Sequence, residues 1–145
     1  MNRKQLIFRA KQIAHEAHKT QTRWGGEPYI THSARVADSL RHHGPTIQAV
    51  AWLHDVVEDT PVTLDDIEQE LGSHVSEKLE ALTHRAGETY AEYIQRVGEN
   101  FIATLVKLAD LDDNLSDLDD SPRNRQRRQK YELAKLYLKT VQGIE

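Results

Sequence analysis

Apolar residues recur at spacings of three and four along almost the whole chain, the period of an α-helix with one buried face. Leu6, Ile7, Ala10, Ile13, Ala14 and Ala17 form such a stripe over residues 3–19. Gly25-Gly26-Glu27-Pro28 follows as a loop. A second helix is predicted from about Thr31 to His43, stopped by Gly44-Pro45. A third carries Ile47 to Glu58 and ends near Thr60-Pro61. Thr63 and Asp66 have capping-box spacing and open a short helix to Leu71-Gly72; another follows over about 74–83. Thr89 and Glu92 repeat the box for a helix to about Val97. Residues 101–118 continue helically, and Ser121-Pro122 reads as N-cap and first helical residue of a last helix to about Val141. Alternating apolar positions of useful length are absent. The pattern specifies an all-α protein, one domain over 1–145, without internal repeats.

One stretch breaks this pattern. Inside the apolar run of the third helix, His54, Asp55, Glu58 and Asp59 fall within six residues. On a continuous helix His54 shares a face with Glu58, and Asp55 with Asp59. Burying an imidazole beside three carboxylates is costly unless a cation or strong hydrogen bonds compensate. Two more places supply partners. His32 lies at the start of the second helix, and Asp110 follows the apolar stretch Leu105 to Ala109, with Asn114 one turn on. Two imidazoles and two carboxylates suit Mn²⁺, Fe²⁺, Co²⁺ or Zn²⁺ and leave positions for water and a substrate oxygen. Taken singly, each residue has a plainer reading: His32 as a hydrogen-bonded histidine, Asp110 as the partner of Lys107.

Composition narrows the classes further. The 145 residues suffice for one real core. Without cysteine, disulfides, thiolate nucleophiles and zinc–cysteine sites are excluded. No apolar run approaches the roughly 20 residues of a membrane span, and charge interrupts the N-terminus too early for a signal peptide; a cytoplasmic location is the expectation. A net charge of −4 argues against a general nucleic-acid binder, though not against an anionic substrate. The basic run Arg123 to Lys130 reads as a solvated helix face, and the aspartates between Asp110 and Asp120 largely as solvated or helix-start residues. Nothing in the pattern specifies an oligomeric state.

Taken together, the segments resemble the HD-domain superfamily of metal-dependent phosphohydrolases, and more narrowly the hydrolase domain of the RelA/SpoT alarmone enzymes and small Mesh1-like hydrolases. The matching stretches run 17–23, 26–32, 51–60 and 106–115, in the family's order. The dipeptide His54-Asp55 alone is a weak signal; His32, then His54-Asp55 with Glu58-Asp59, then Asp110 with Asn114, is a strong one. The resemblance implies an HD-domain helical bundle with His32, His54, Asp55 and Asp110 as metal ligands and Mn²⁺ as the metal. It implies Glu58 and Asp59 as the catalytic acidic pair and Arg23 and Asn114 at the nucleotide. It also implies removal of the 3′-pyrophosphate from guanosine tetra- or pentaphosphate. The chain departs from the family pattern at Trp24, Ser33, Leu111 and Asp117, all around the substrate. A different nucleotide or phosphate ester, or a nucleotide- or metal-binding module without catalysis, are the alternatives.

Overall fold

The computed structural model describes residues 1–145 and contains nine α-helices. Helix α1 (Arg3–Ala17) starts at a reciprocal cap: the Asn2 side chain accepts from the Gln5 N–H, and Gln5 accepts from the Asn2 N–H, both at 2.9 Å. Its Ala10, Ile13 and Ala14 are buried along α3. Helix α2 (Ile30–Ser39) ends about four residues earlier than the sequence pattern suggests; residues 40–43 form turns instead. Helix α3 (Pro45–Leu53) is the centre of the bundle. Its residues from Gln48 to Leu53 are all buried, and it contacts α1, α2, α6 and α8.

The single helix expected over 47–58 is interrupted, a correction to the sequence reading. Helix α3 stops at Leu53 and α4 (Val56–Asp59) begins three residues later. The cause lies in His54. Its ring Nδ1 is 2.8 Å from the Ala51 carbonyl, the acceptor that a continuing helix would give to the Asp55 N–H. At the break both residues keep right-handed helical backbone angles, His54 is buried and Asp55 half-buried.

The second half follows local signals. Helices α5 (Leu64–Leu71) and α7 (Tyr90–Val97) open at the expected capping boxes of Thr63/Asp66 and Thr89/Glu92. Helix α6 (Ser73–Ala81) is joined to α5 through Gly72 at φ 91°, a left-handed conformation that glycine takes without strain. Helix α8 (Phe101–Asp117) is capped by Asn100 on the Ala103 N–H, and α9 (Pro122–Gln142) has Pro122 at its first position. Ser121 takes the N-cap position of α9, but its hydroxyl makes no capping bond. Buried apolar residues from α1 through α9 form one continuous cluster, against which α2, α3 and α8 meet.

Candidate metal centre

Three of those packed elements each contribute to one buried polar cluster. His32 comes from α2, His54 and Asp55 from the break between α3 and α4, and Asp110 from α8. One ligand atom from each lies within 4.8 Å of the others. The two imidazole Nε2 atoms are 3.2 Å apart, and Asp110 Oδ1 is 2.8 Å from that of His32 and 3.2 Å from that of His54. Asp55 Oδ2 stands 2.9 Å from His54 Nε2 and 3.7 Å from His32 Nε2. His32, His54 and Asp110 are at most 5% exposed.

The outer contacts decide what this cluster can hold. His54 Nδ1 faces the Ala51 carbonyl, and His32 Nδ1 faces Asp113 Oδ2 at 2.6 Å. Each Nδ1 therefore carries the ring's N–H and donates it outward. Both Nε2 atoms are then lone pairs, pointing at each other and at two carboxylates. Four electron-rich atoms in a dry site require a cation or protons between them. Ions bonded at about 2.0–2.2 Å hold their donors roughly 2.8–4.4 Å apart, depending on the angle between them, and the separations given above, from 2.8 to 3.7 Å, fall in that range. Without a metal, protons take that role. Burial alone would lower the His54 pKa, but Asp55 and Asp110 hold it well above its ordinary value. Burial likewise opposes protonation of His32, and Asp110 and Asp113 overcome it. Burial would raise Asp55, yet His54 beside it holds it at about 2; Lys107 and His54 hold Asp110 well below the usual carboxylate range.

Each carboxylate is also fixed from outside. The Tyr29 hydroxyl donates to Asp55 Oδ2 at 2.6 Å. Lys107 Nζ donates to Asp110 Oδ2 at 2.9 Å, the pairing the sequence allowed, while Asp110 Oδ1 faces the imidazoles and also accepts from Asn114 Nδ2 at 3.3 Å. His18 is buried against the Tyr29 ring, with centroids 4.8 Å apart, and pairs with Gln21 at 2.7 Å. Gln21 in turn donates to the Asp59 carbonyl.

A cleft of about 440 Å³ opens onto this centre, within the range of small-molecule sites. His54, Asp55, Glu58 and Asp110 line it, with Lys107 beside Asp110 and His84 beside Glu58, and Tyr90 and Tyr93 of α7 and Lys130 of α9 complete its wall. Glu58 Oε1 accepts from the His84 N–H at 2.6 Å, which anchors one oxygen at the rim. Asp59, at the end of α4 and outside the lining of the cleft, is raised to about 6 by partial desolvation of its carboxyl and by Asp55 and Glu58. Lys130 Nζ lies 4.0 Å from the Tyr90 ring centre; burial, then the charges of Lys107 and Arg127, lower its pKa. The Tyr90 hydroxyl is buried without a hydrogen-bond partner.

Arg23 and Asn114 lie elsewhere. Neither lines the cleft. Arg23 is buried and donates to Asp117 Oδ2 from Nε at 3.1 Å and Nη2 at 2.8 Å, and to Asn114 Oδ1 at 3.1 Å. Asn114 thus joins that arginine to Asp110 behind the centre. The sequence reading missed Asp113, Tyr90 and Lys130. Asp113 carried a signal, being three residues from Asp110 and so on its face. Tyr90 and Lys130 carried none, because only the packing of α7 and α9 brings them to α8.

Residues 10–140 match the HD domain family. The chain belongs to this family. It is 36% identical over 145 aligned positions to the bifunctional (p)ppGpp synthase/hydrolase SpoT of Escherichia coli K12, covering 90% of this chain and 20% of that protein. It is 35% identical over 138 positions to a guanosine-3′,5′-bis(diphosphate) 3′-pyrophosphohydrolase of Haemophilus influenzae, covering 86% and 20%. The chain spans about a fifth of the length of these relatives. A solved structure described as a metazoan ortholog of SpoT that hydrolyzes ppGpp superposes with a TM-score of 0.73 over 97% of both chains, at 24% identity. That likeness establishes the all-α HD-domain fold.

Proposed function

We propose that this protein is a metal-dependent pyrophosphohydrolase that removes the 3′-pyrophosphate of guanosine 3′,5′-bis(diphosphate)-type nucleotides, the activity for which its relatives are named. The observation that carries the reading is the convergence of four lone-pair atoms, from His32, His54, Asp55 and Asp110, the last three of which line a cleft that also carries Lys107 and Lys130. Those residues hold the divalent cation, Mn²⁺ in this reading. When bound, such a cation polarises a phosphoryl oxygen and eases deprotonation of water. Glu58, beside the centre in the same cleft, takes the proton from the attacking water and orients it. Asp59, next to Glu58 at the end of α4, is the second member of the acidic pair in this reading and relays a proton to the leaving oxygen. Lys130, exposed on the cleft wall, meets phosphate oxygens. Arg23 and Asn114 support the Asp110 side of the centre. A nucleotide substrate is consistent with the cytoplasmic location expected from the sequence, and no helix is long and apolar enough to cross a membrane.

A panel of metals against nucleotides, with products identified, tests this. Mn²⁺ with guanosine 3′,5′-bis(diphosphate) should yield GDP and pyrophosphate. Orthophosphate from a nucleoside monophosphate would make it a phosphatase instead. Metal uptake without turnover of any nucleotide would leave a binding module.

A further inference from the structure

Every proposed ligand is held from behind, but His32 is held differently from His54. The Nδ1 of His54 donates to a neutral backbone carbonyl, that of Ala51. The Nδ1 of His32 meets the Asp113 carboxylate at 2.6 Å. Asp113 is itself clamped. Arg35 donates from Nε to Asp113 Oδ1 at 2.7 Å and from Nη2 to Oδ2 at 3.1 Å. Two helices supply the whole arrangement by the same one-turn spacing. Helix α2 presents His32 and, three residues on, Arg35; α8 presents Asp110 and, three residues on, Asp113. Asp110 thus reaches the inner edge of the His32 ring and Asp113 its outer edge. Arg35 continues outward to Glu27 at 2.8 Å and Asp117 at 3.2 Å, which fixes the guanidinium against the loop before α2.

We propose that Asp113, held by Arg35, is a positioning residue of the metal centre: it keeps the His32 proton on Nδ1 and turns Nε2 toward the cation. The inference rests on the reading of His32 as a metal ligand. A neutral imidazole has one N–H, and the group that accepts it decides which nitrogen is free to bind. An anionic acceptor also makes the bound nitrogen a stronger donor. His32 is thereby the stronger of the two imidazole ligands, and His54, with its carbonyl partner, the weaker. A plain ion pair with Arg35 would not require the contact with His32. Asp113 is only 11% exposed at its side chain and lies against a ring that is 1% exposed. Its charge is compensated in that position by Arg35 and spent on orienting the ring.

The test uses the full chain, stripped by chelator and titrated with Mn²⁺ alone, on variants whose melting confirms that they are folded. Asp113→Ala should weaken Mn²⁺ binding about 10- to 100-fold. Asp113→Asn should recover part of that loss, since its amide oxygen can still accept the N–H. In Zn²⁺-loaded wild type with ¹⁵N-labelled histidine, His32 should be protonated at Nδ1 and coordinated through Nε2. An Asp113→Ala affinity within about twofold of wild type overturns the inference, as does a His32 coordinated through Nδ1. Should Asp113→Ala not fold, the Asp113→Asn titration and the wild-type spectrum decide, and an unweakened Asp113→Asn with Nε2–H on His32 is the contradicting result. Wild type that takes up no metal overturns the metal centre together with this inference. Metal uptake without nucleotide turnover overturns only the proposed activity.

Discussion

The floor and the far wall of the cleft are built on opposite principles. On the floor, His32, His54 and Asp110 are buried, and each is fixed by a second contact from Asp113, Ala51 or Lys107. On the far wall, Lys130 rests on the Tyr90 ring among other cations, and the Tyr90 hydroxyl has no partner. A fixed floor suits a cation whose ligands must not move. A wall that presents an exposed lysine suits an anion that comes and goes, since the cation can pair with its oxygens and release them. The difference separates what binds permanently from what is turned over.

Removing the floor should have the largest effect. Asp55→Ala should abolish metal uptake and hydrolysis together, measured by metal analysis after dialysis and by pyrophosphate release; activity that survives without metal would detach the chemistry from this centre. Glu58→Ala keeps all four ligands, so kcat should fall about 10²- to 10⁴-fold while Mn²⁺ affinity stays within about twofold. An unchanged kcat would remove Glu58 from its role. Lys130→Ala acts on the wall alone and should raise KM about fivefold, some 1 kcal/mol for an exposed charge–phosphate contact. A fall in kcat with KM unchanged would move Lys130 from binding to chemistry.

The smallest effect concerns Asp59 in the metal-free protein, where burial, Asp55 and Glu58 raise it to about 6. A carboxyl whose pKa is raised on folding favours the folded state when protonated. That contribution is complete below about pH 4 and is lost as pH climbs through about 6. Asp59→Asn should therefore melt above wild type at about pH 8, with the gap closing toward pH 4. A gap that persists at pH 4 would assign it to packing instead.

The floor was far more legible in the sequence than the wall. His54-Asp55 stood out because polar groups interrupted an apolar run, and the caps at Thr63 and Thr89 depend on neighbours three residues away. The break between α3 and α4 was not legible: it comes from the His54 ring taking the Ala51 carbonyl and from Tyr29 holding Asp55, 26 residues away in sequence. Asp113 was hidden in a run of aspartates, most of them solvated, and only its contacts with His32 and Arg35 set it apart. Lys130 was hidden likewise in a basic run on α9. For Arg23 the family resemblance pointed to the substrate; its bonds to Asp117, across 94 residues, had no signal in the sequence.

The central claim is that His32, His54, Asp55 and Asp110 hold the cation on which hydrolysis depends. Chelator-stripped protein, titrated with Mn²⁺ in the presence of guanosine 3′,5′-bis(diphosphate), tests it most directly. Pyrophosphate release should be absent without metal, rise with occupancy of one site and saturate with it, and Asp55→Ala should show neither binding nor release. Release by the stripped protein, or full activity in Asp55→Ala, would contradict the account.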